Sequence, residues 1–248
     1  MDSILIYLLF SVGFNLFLFL IAYVLQTDKI TDLSYSLTFV ILAIASFLRS
    51  GQDIVDILLL SLILIWAFRL GSYLFKRIHR IGRDERFDKI RVKFTSFLTF
   101  WIMQGLTCFI VIIPVFKANE VVSKDLQLVT VIGLVLAIQG LLIETIADKQ
   151  KYVYKLKHPD KHMHEGLWYY LQHPNYTGEL LFWWGIFISS IPFIGFGIGI
   201  IGPLWISLII IKFSGISILQ KKWTEKYGQN KEFQAYHKKT KKLIPFIY

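Results

Sequence analysis

"LQHPNYTGELLFWWGIF", residues 171–187, opens on a histidine, a proline and an asparagine, passes through a glutamate and then turns wholly apolar and aromatic. Such a run reads as a helix that crosses a lipid bilayer and keeps a polar mouth. Of the 248 residues, 55% are hydrophobic, and they fall in blocks of about 20, the length that spans a hydrocarbon core. The blocks predict about seven spans, at 4–25, 34–50, 54–76, 95–116, 126–147, 175–191 and 196–219. The expected fold class is an all-α polytopic membrane helical bundle. No repeat, Pro-rich linker or low-complexity tract divides the chain, so one membrane-embedded domain over 1–248 is expected.

The first apolar block has no basic start, is too long for a signal core and lacks a small-residue cleavage site, so it is expected to stay in the mature protein. The single cysteine, Cys108, falls inside the fourth span and leaves no intrachain disulfide to form. The formal net charge is +10, and of the 27 Lys and Arg, eight lie in 76–93, five in 149–161 and eight in 221–242. With seven spans these segments share one side, which the positive-inside rule makes the cytoplasm, together with the C-terminus. The N-terminus is then expected outside. Anionic headgroups account for charges that abut span ends, and no separate soluble domain exists to bind nucleic acid. Membrane lipids are the expected surroundings, and nothing in the sequence speaks to oligomeric state.

The outer connections are short: 51–53, 117–125 and the turn from Pro192 to Gly195. Gly195, Gly197, Gly199 and Gly202 weaken the start of the last span, and Pro203 is expected to kink it by removing a backbone hydrogen bond.

Charges near the hydrocarbon are informative because each costs about 2.5 to 3.5 kcal/mol to insert. Here they form rows. Arg69, Tyr73 and Arg77 recur every four residues in "WAFRLGSYLFKRI", stacked on one helix face. Glu144 and Asp148 repeat the spacing in "IETIADKQKYVYK", as do Asn175 and Glu179 in "NYTGE". With the assumed topology all three rows end at the cytoplasmic rim, where they can converge on one pocket. Arg69 can equally snorkel, or pair with Glu144 or Glu179 to hold helices together. Cationic, anionic and amide groups together suit a ligand with phosphates and hydroxyls better than an ion path.

His173 and Pro174 have a plainer reading, since proline fits the first turn of a helix. His158, His162 and His164 invite a zinc site, but no cysteine or second cluster supports one, and no metal is expected. Trp183 and Trp184 match an aromatic belt at an interface. Asp32, close to Tyr35 at the start of the second span, reads first as a helix N-cap.

The motifs "ETIADKQK", "EGLWYYLQHPNYTGELLFWWG", "SGI" at 214–216 and the closing "YHKKTKKLIPFIY" occur in an order and at a spacing that resemble the membrane-embedded steroid 5-alpha-reductase superfamily, specifically its bacterial branch, the DUF1295 family. The resemblance is strongest over 143–248 and extends to 60–93. It implies a seven-span fold holding NADPH in a pocket open to the cytoplasm, in a bacterial inner membrane. Hydride then passes to the double bond of an unsaturated carbonyl in an apolar, often sterol-like substrate. By motif position it implies cofactor contacts from Arg69, Tyr73, Arg77, Glu144, Asp148, Lys155, His173, Asn175, Tyr176 and Glu179. In the steroid enzymes a tyrosine donates to the substrate ketone, and that place is held here by Trp66, whose indole N–H is a poor proton donor. Tyr35, Asp32 or Tyr73 are the alternatives for the catalytic role. Gln172 stands where relatives often carry a basic residue.

Two other functions compete. Integral membrane methyltransferases that use S-adenosylmethionine share an "HP" helix start and a C-terminal "IP" element. Their last span normally ends in an arginine and paired glutamates, whereas this chain has Gln220 and Lys221. A transporter or a non-catalytic lipid-binding protein on the same fold is the third, although a transporter should show repeat symmetry.

Overall fold

In hydrocarbon every backbone N–H and C=O must find its partner inside its own segment, so the apolar blocks fold as helices. The computed structural model describes residues 3–82, 84, 87, 88, 90–213 and 215–243; Ser214 and the closing residues 244–248 lie outside them. Among the described residues six helices are long and apolar enough to cross a membrane, and Thr31–Phe47 is a shorter apolar helix. The protein is an all-α polytopic membrane protein whose helices answer to the seven expected spans. The chain packs as two compact units, Met1–Thr130 with Ser190–Gly202, and Val131–Ser189 with Pro203–Tyr248.

The first unit holds α1 (Ser3–Val24), α2 (Thr31–Phe47), α3 (Ile54–Ile81), α4 (Phe94–Val111) and α5 (Ile113–Asn119). The expected fourth span, 95–116, breaks after Val111 because Pro114 stands in the first turn of α5 and cannot continue a helix from before it. A capping box starts α3: Asp53 accepts from the N–H of Val55 at 2.9 Å and of Asp56 at 3.1 Å, and Asp56 accepts from the N–H of Asp53 at 3.3 Å. Buried Lys124 neutralises both carboxylates, 3.0 Å from Asp56 and 3.3 Å from Asp53. Asp32 is not the N-cap of α2; Ile30 holds that place, and Asp32 stands in the first turn, where the helix dipole favours a carboxylate.

The interior of this unit is tied by a polar chain that apolar periodicity conceals. Gln104 donates to Asn15 at 2.9 Å and to Ser34 at 2.7 Å, Asn15 donates to Thr38 at 3.1 Å, and Ser11 donates to the carbonyl of Gly105 at 2.7 Å. Hydrogen bonds of this kind link α1, α2 and α4 where lipid tails give helices no hydrophobic reason to associate.

The second unit takes most of α6 (Leu128–Lys157), then α7 (Leu167–Tyr170), the first four turns of α8 (Pro174–Ile194), most of α9 (Ile201–Leu208), a π-helical turn (Ile209–Phe213), α10 (Ile216–Tyr227) and α11 (Lys231–Lys239). At 30 residues α6 is about 45 Å long, and a hydrocarbon core takes only about 30 Å of it. Its last third, with Asp148, Lys151 and Lys155, continues as helix past the predicted span end at 147 until Pro159 stops it. The sixth span likewise runs through Pro192 to Ile194, and the turn comes at Gly195, whose φ of 64° lets its N–H close on the carbonyl of Ile191 at 2.8 Å. Pro203 does not kink the last span, because it sits in the first turn of α9; the irregularity falls instead in the π turn.

Glycines let α6 and α8 touch backbone to backbone. A Cβ at Gly140 would lie 2.4 Å from the nitrogen of Phe182 and 2.5 Å from the carbonyl oxygen of Gly178; one at Gly178 would meet the nitrogen of Glu144 at 2.5 Å. Gly185 and Gly133 repeat the approach against Ala137 and Ser189. Gly140→Ala therefore has to push two backbones apart. We expect it to destabilise the protein by about 1 to 3 kcal/mol, read as a lowered melting temperature in detergent; an unchanged melting temperature would refute the seam.

Candidate functional site

The start of α8 is built by the residues just before it. Leu171 pairs with Lys241 in a parallel bridge, and the N–H groups of Gln172 and His173 donate to the carbonyls of Lys241 and Lys242 at 2.8 and 3.0 Å. Pro174 then opens the helix without losing a bond, since first-turn N–H groups have no intrahelical partner. Thr177 ties the same turn to the C-terminal segment by donating to the carbonyl of Leu243 at 2.7 Å.

Gln172 and His173 are both buried. The amide of Gln172 donates to the carbonyls of His237 and Thr240 at 3.0 and 2.5 Å, and its oxygen accepts from Gln220 at 2.7 Å. Gln172 thus faces inward and joins the C-terminal segment to α10. The same Gln220 amide lies 3.0 Å from Nε2 of His173, whose ring stacks between Tyr176 and Trp223 at 5.6 and 4.8 Å. Burial above all, then Lys151, Lys242 and His237, pulls the pKa of His173 down to about 3. Two buried polar atoms here have no hydrogen-bond partner, Nδ1 of His173 and Oδ1 of Asn175.

Gly178 brings this turn onto α6 at Glu144, so the rows Glu144–Asp148 and Asn175–Glu179 lie on adjoining helices within the second unit. Glu144 and Asp148 are buried, and both, like Glu179, are engaged by neighbours. One turn further along α6 Lys151 stands 4.7 Å from the ring centre of Trp168 and 5.8 Å from that of Trp223. Lys155 uses all three ammonium protons, donating to the carbonyls of Pro159 and Lys161 and to the Tyr227 hydroxyl. Beneath these lysines a cavity of about 30 Å³ is lined by His162, Tyr227, Phe233 and Tyr236. That is room for a water, not for a dinucleotide.

The other expected residues lie in the first unit. Arg69, Tyr73 and Arg77 share one face of α3, and Arg77 pairs with Asp84 at 2.8 Å. Asp84 in turn donates its N–H to Asp28, which holds Arg91 at 3.0 Å. Trp66 is fully buried, edge-on to Phe39 and Tyr35 with centroids 5.2 and 6.4 Å apart. Among the described residues no three His, Cys, Asp or Glu side chains stand close enough to hold a metal. The His162 ring instead packs 5.3 Å from those of Phe233 and Tyr236.

Residues 18–240 match the model of the family described as "Protein of unknown function (DUF1295)". The chain belongs to the DUF1295 family. No curated protein and no solved structure matches it. The match spans both units and every residue of the candidate site up to the C-terminal strap.

A dinucleotide of the kind the resemblance implies needs cations for its phosphates, and acceptors and donors for its hydroxyls and carboxamide. In this DUF1295 protein the start of α8 offers two buried polar atoms without partners, and α6 beside it carries two buried carboxylates and a lysine, a set that fits the group in its donors, acceptors and charge. Lys151, Gln172 and Gln220 were not singled out as ligand-facing by sequence. Lys151 has a signal, since Glu144, Asp148, Lys151 and Lys155 fall at spacings of four, three and four on one helical face. Gln220 has none, because 48 residues separate it from Gln172.

The buried imidazole makes stability depend on pH with a definite sign. Its folded pKa of about 3 lies below the unfolded value of 6.5, so between these values the unfolded chain takes up a proton that the fold refuses. Stability is unaffected above about pH 6.5 and falls as pH drops toward 3. The melting temperature of the wild type is expected to fall more steeply from pH 7 to pH 4 than that of His173→Asn; parallel curves would contradict the neutral, buried ring.

Proposed function

We propose that this protein is an NADPH-dependent membrane reductase that transfers hydride to the double bond of an apolar unsaturated carbonyl compound, with its cofactor site facing the cytoplasm of a bacterium. The observation that carries the reading is the pair of buried, unpartnered polar atoms on His173 and Asn175, set against the carboxylate row of α6 in a member of the DUF1295 family. A buried polar group without a partner calls for an explanation, and a ligand that completes the hydrogen bonding at His173 and Asn175 supplies one.

When bound, NADPH supplies the hydride, which adds to the carbon β to the carbonyl. Asn175 offers its amide oxygen to a donor on the cofactor, and Glu144, Asp148 and Glu179 hold ribose hydroxyls. Lys151, whose ammonium lies over the rings of Trp168 and Trp223, is the cation of the α6 row that would meet a phosphate. The residues' task is to orient and exclude water, since no covalent intermediate with the protein is needed. An apolar substrate reaches such a protein from the lipid.

Ligand-induced stabilisation in detergent tests the reading. NADPH at a hundred times its dissociation constant is expected to stabilise the protein by about 2.7 kcal/mol, and Asn175→Ala or Glu179→Ala to abolish the shift. A shift with S-adenosylmethionine and none with NADPH would replace the reductase by a methyltransferase. A response to neither would leave a lipid-binding or transport protein on this fold. With an enone panel as substrate, the wild type is expected to oxidise NADPH and Asn175→Ala to lose that activity; no oxidation with any member of the panel would remove the reductase reading.

A further inference from the structure

The two glutamines decide which nitrogen of His173 carries the proton. Nε2 of Gln172 donates to two carbonyls, so its Oε1 can only accept, and it does so from Gln220 at 2.7 Å. The amide of Gln220 has a second proton, and the atom facing it is Nε2 of His173 at 3.0 Å. That nitrogen must offer a lone pair, and the proton of the neutral ring sits on Nδ1. The donor so created has no partner, although the residue is fully buried with 0% exposure. An orphaned buried donor is costly, and here three side chains are arranged to maintain it.

The donor also sits at the N-terminus of a 21-residue helix, whose first peptide groups favour negative charge. Pro174 contributes no N–H there, so the imidazole supplies a donor where the backbone has none. We propose that Nδ1–H of His173 donates a hydrogen bond to an anionic oxygen of the bound dinucleotide, with Gln220 and Gln172 as the positioning residues that hold the donor tautomer. The proposal rests on the reductase reading and adds to it the atom, the direction of the bond and the relay behind it.

Asparagine and glutamine substitutions separate the two ring nitrogens, because the Asn amide nitrogen superposes on Nδ1 and the Gln amide nitrogen on Nε2. In the full-length protein, titrated with NADPH and followed by cofactor fluorescence, His173→Asn is expected to bind within about threefold of the wild type. His173→Gln is expected to bind about tenfold more weakly. Gln220→Met, which leaves the ring in place, should weaken binding several-fold, and selective 15N labelling of histidine should then show the ring divided between tautomers. The unliganded wild type should show one tautomer, protonated at Nδ1, with that resonance shifted by NADPH.

If the wild type binds NADPH and His173→Gln binds as tightly, or His173→Asn as weakly, as the other is expected to, the ring serves only to hold Gln220 and the proposal falls while the reductase reading stands. A wild-type ring protonated at Nε2 overturns it as well, and does so even if one variant fails to fold. A wild type that binds no NADPH overturns the reductase reading and the ligand proposed here together.

Discussion

Lipid tails give two helices no hydrophobic reason to meet, so a close helix pair in a membrane depends on packing and on direct polar contact. In the second unit this condition is met by Gly133, Gly140, Gly178 and Gly185, which remove side chains from the seam until the backbones of α6 and α8 touch. The consequence reaches beyond stability. Gly178 lies between Asn175 and Glu179 on α8 and presses on Glu144 of α6, so the seam sets the spacing of the polar rows it separates. A site made of short side chains such as Asn and Asp has little reach of its own, and the glycines supply the proximity.

Buried ionisable groups are handled differently at Lys124 and at His173. Lys124 lies within 3.3 Å of two carboxylates at the capped start of α3, and the pair of acids that opens the helix is neutralised by a cation from a distant loop. Removing one member of such a group leaves an uncompensated buried charge. At His173 the protein instead refuses the charge: desolvation and nearby lysines keep the ring neutral, and the Gln220 amide facing Nε2 would oppose a second proton. A group kept neutral can be dried completely, and its hydrogen-bond direction is then fixed by its neighbours and not by pH.

The spans and the rows were legible in sequence because both are local. Apolar blocks of about 20 residues and four-residue spacings survive without knowledge of the fold, and α3, α6 and α8 carry the rows where the spacing puts them. Errors at helix ends trace to single residues whose effect depends on register: Pro114 breaks a span expected to continue, Pro203 sits in a first turn that tolerates proline, and Pro192 falls inside α8 only two residues before its end. The polar chain from Ser11 to Gln104 and the pairing of Gln172 with Gln220 were not legible, because serine, asparagine and glutamine in an apolar run do not name their partners, which lie 23 to 94 residues away.

The C-terminal segment joins the start of α8 through the carbonyls of His237, Thr240, Lys241, Lys242 and Leu243. Of these partners, His237, Thr240 and Leu243 lie 65 to 68 positions further along the chain than the residues they hold. The turn that carries His173 and Asn175 therefore closes only when that stretch has folded back onto it, and a cut anywhere between α8 and that stretch would leave the apolar helix intact while untying the one turn that matters to a ligand.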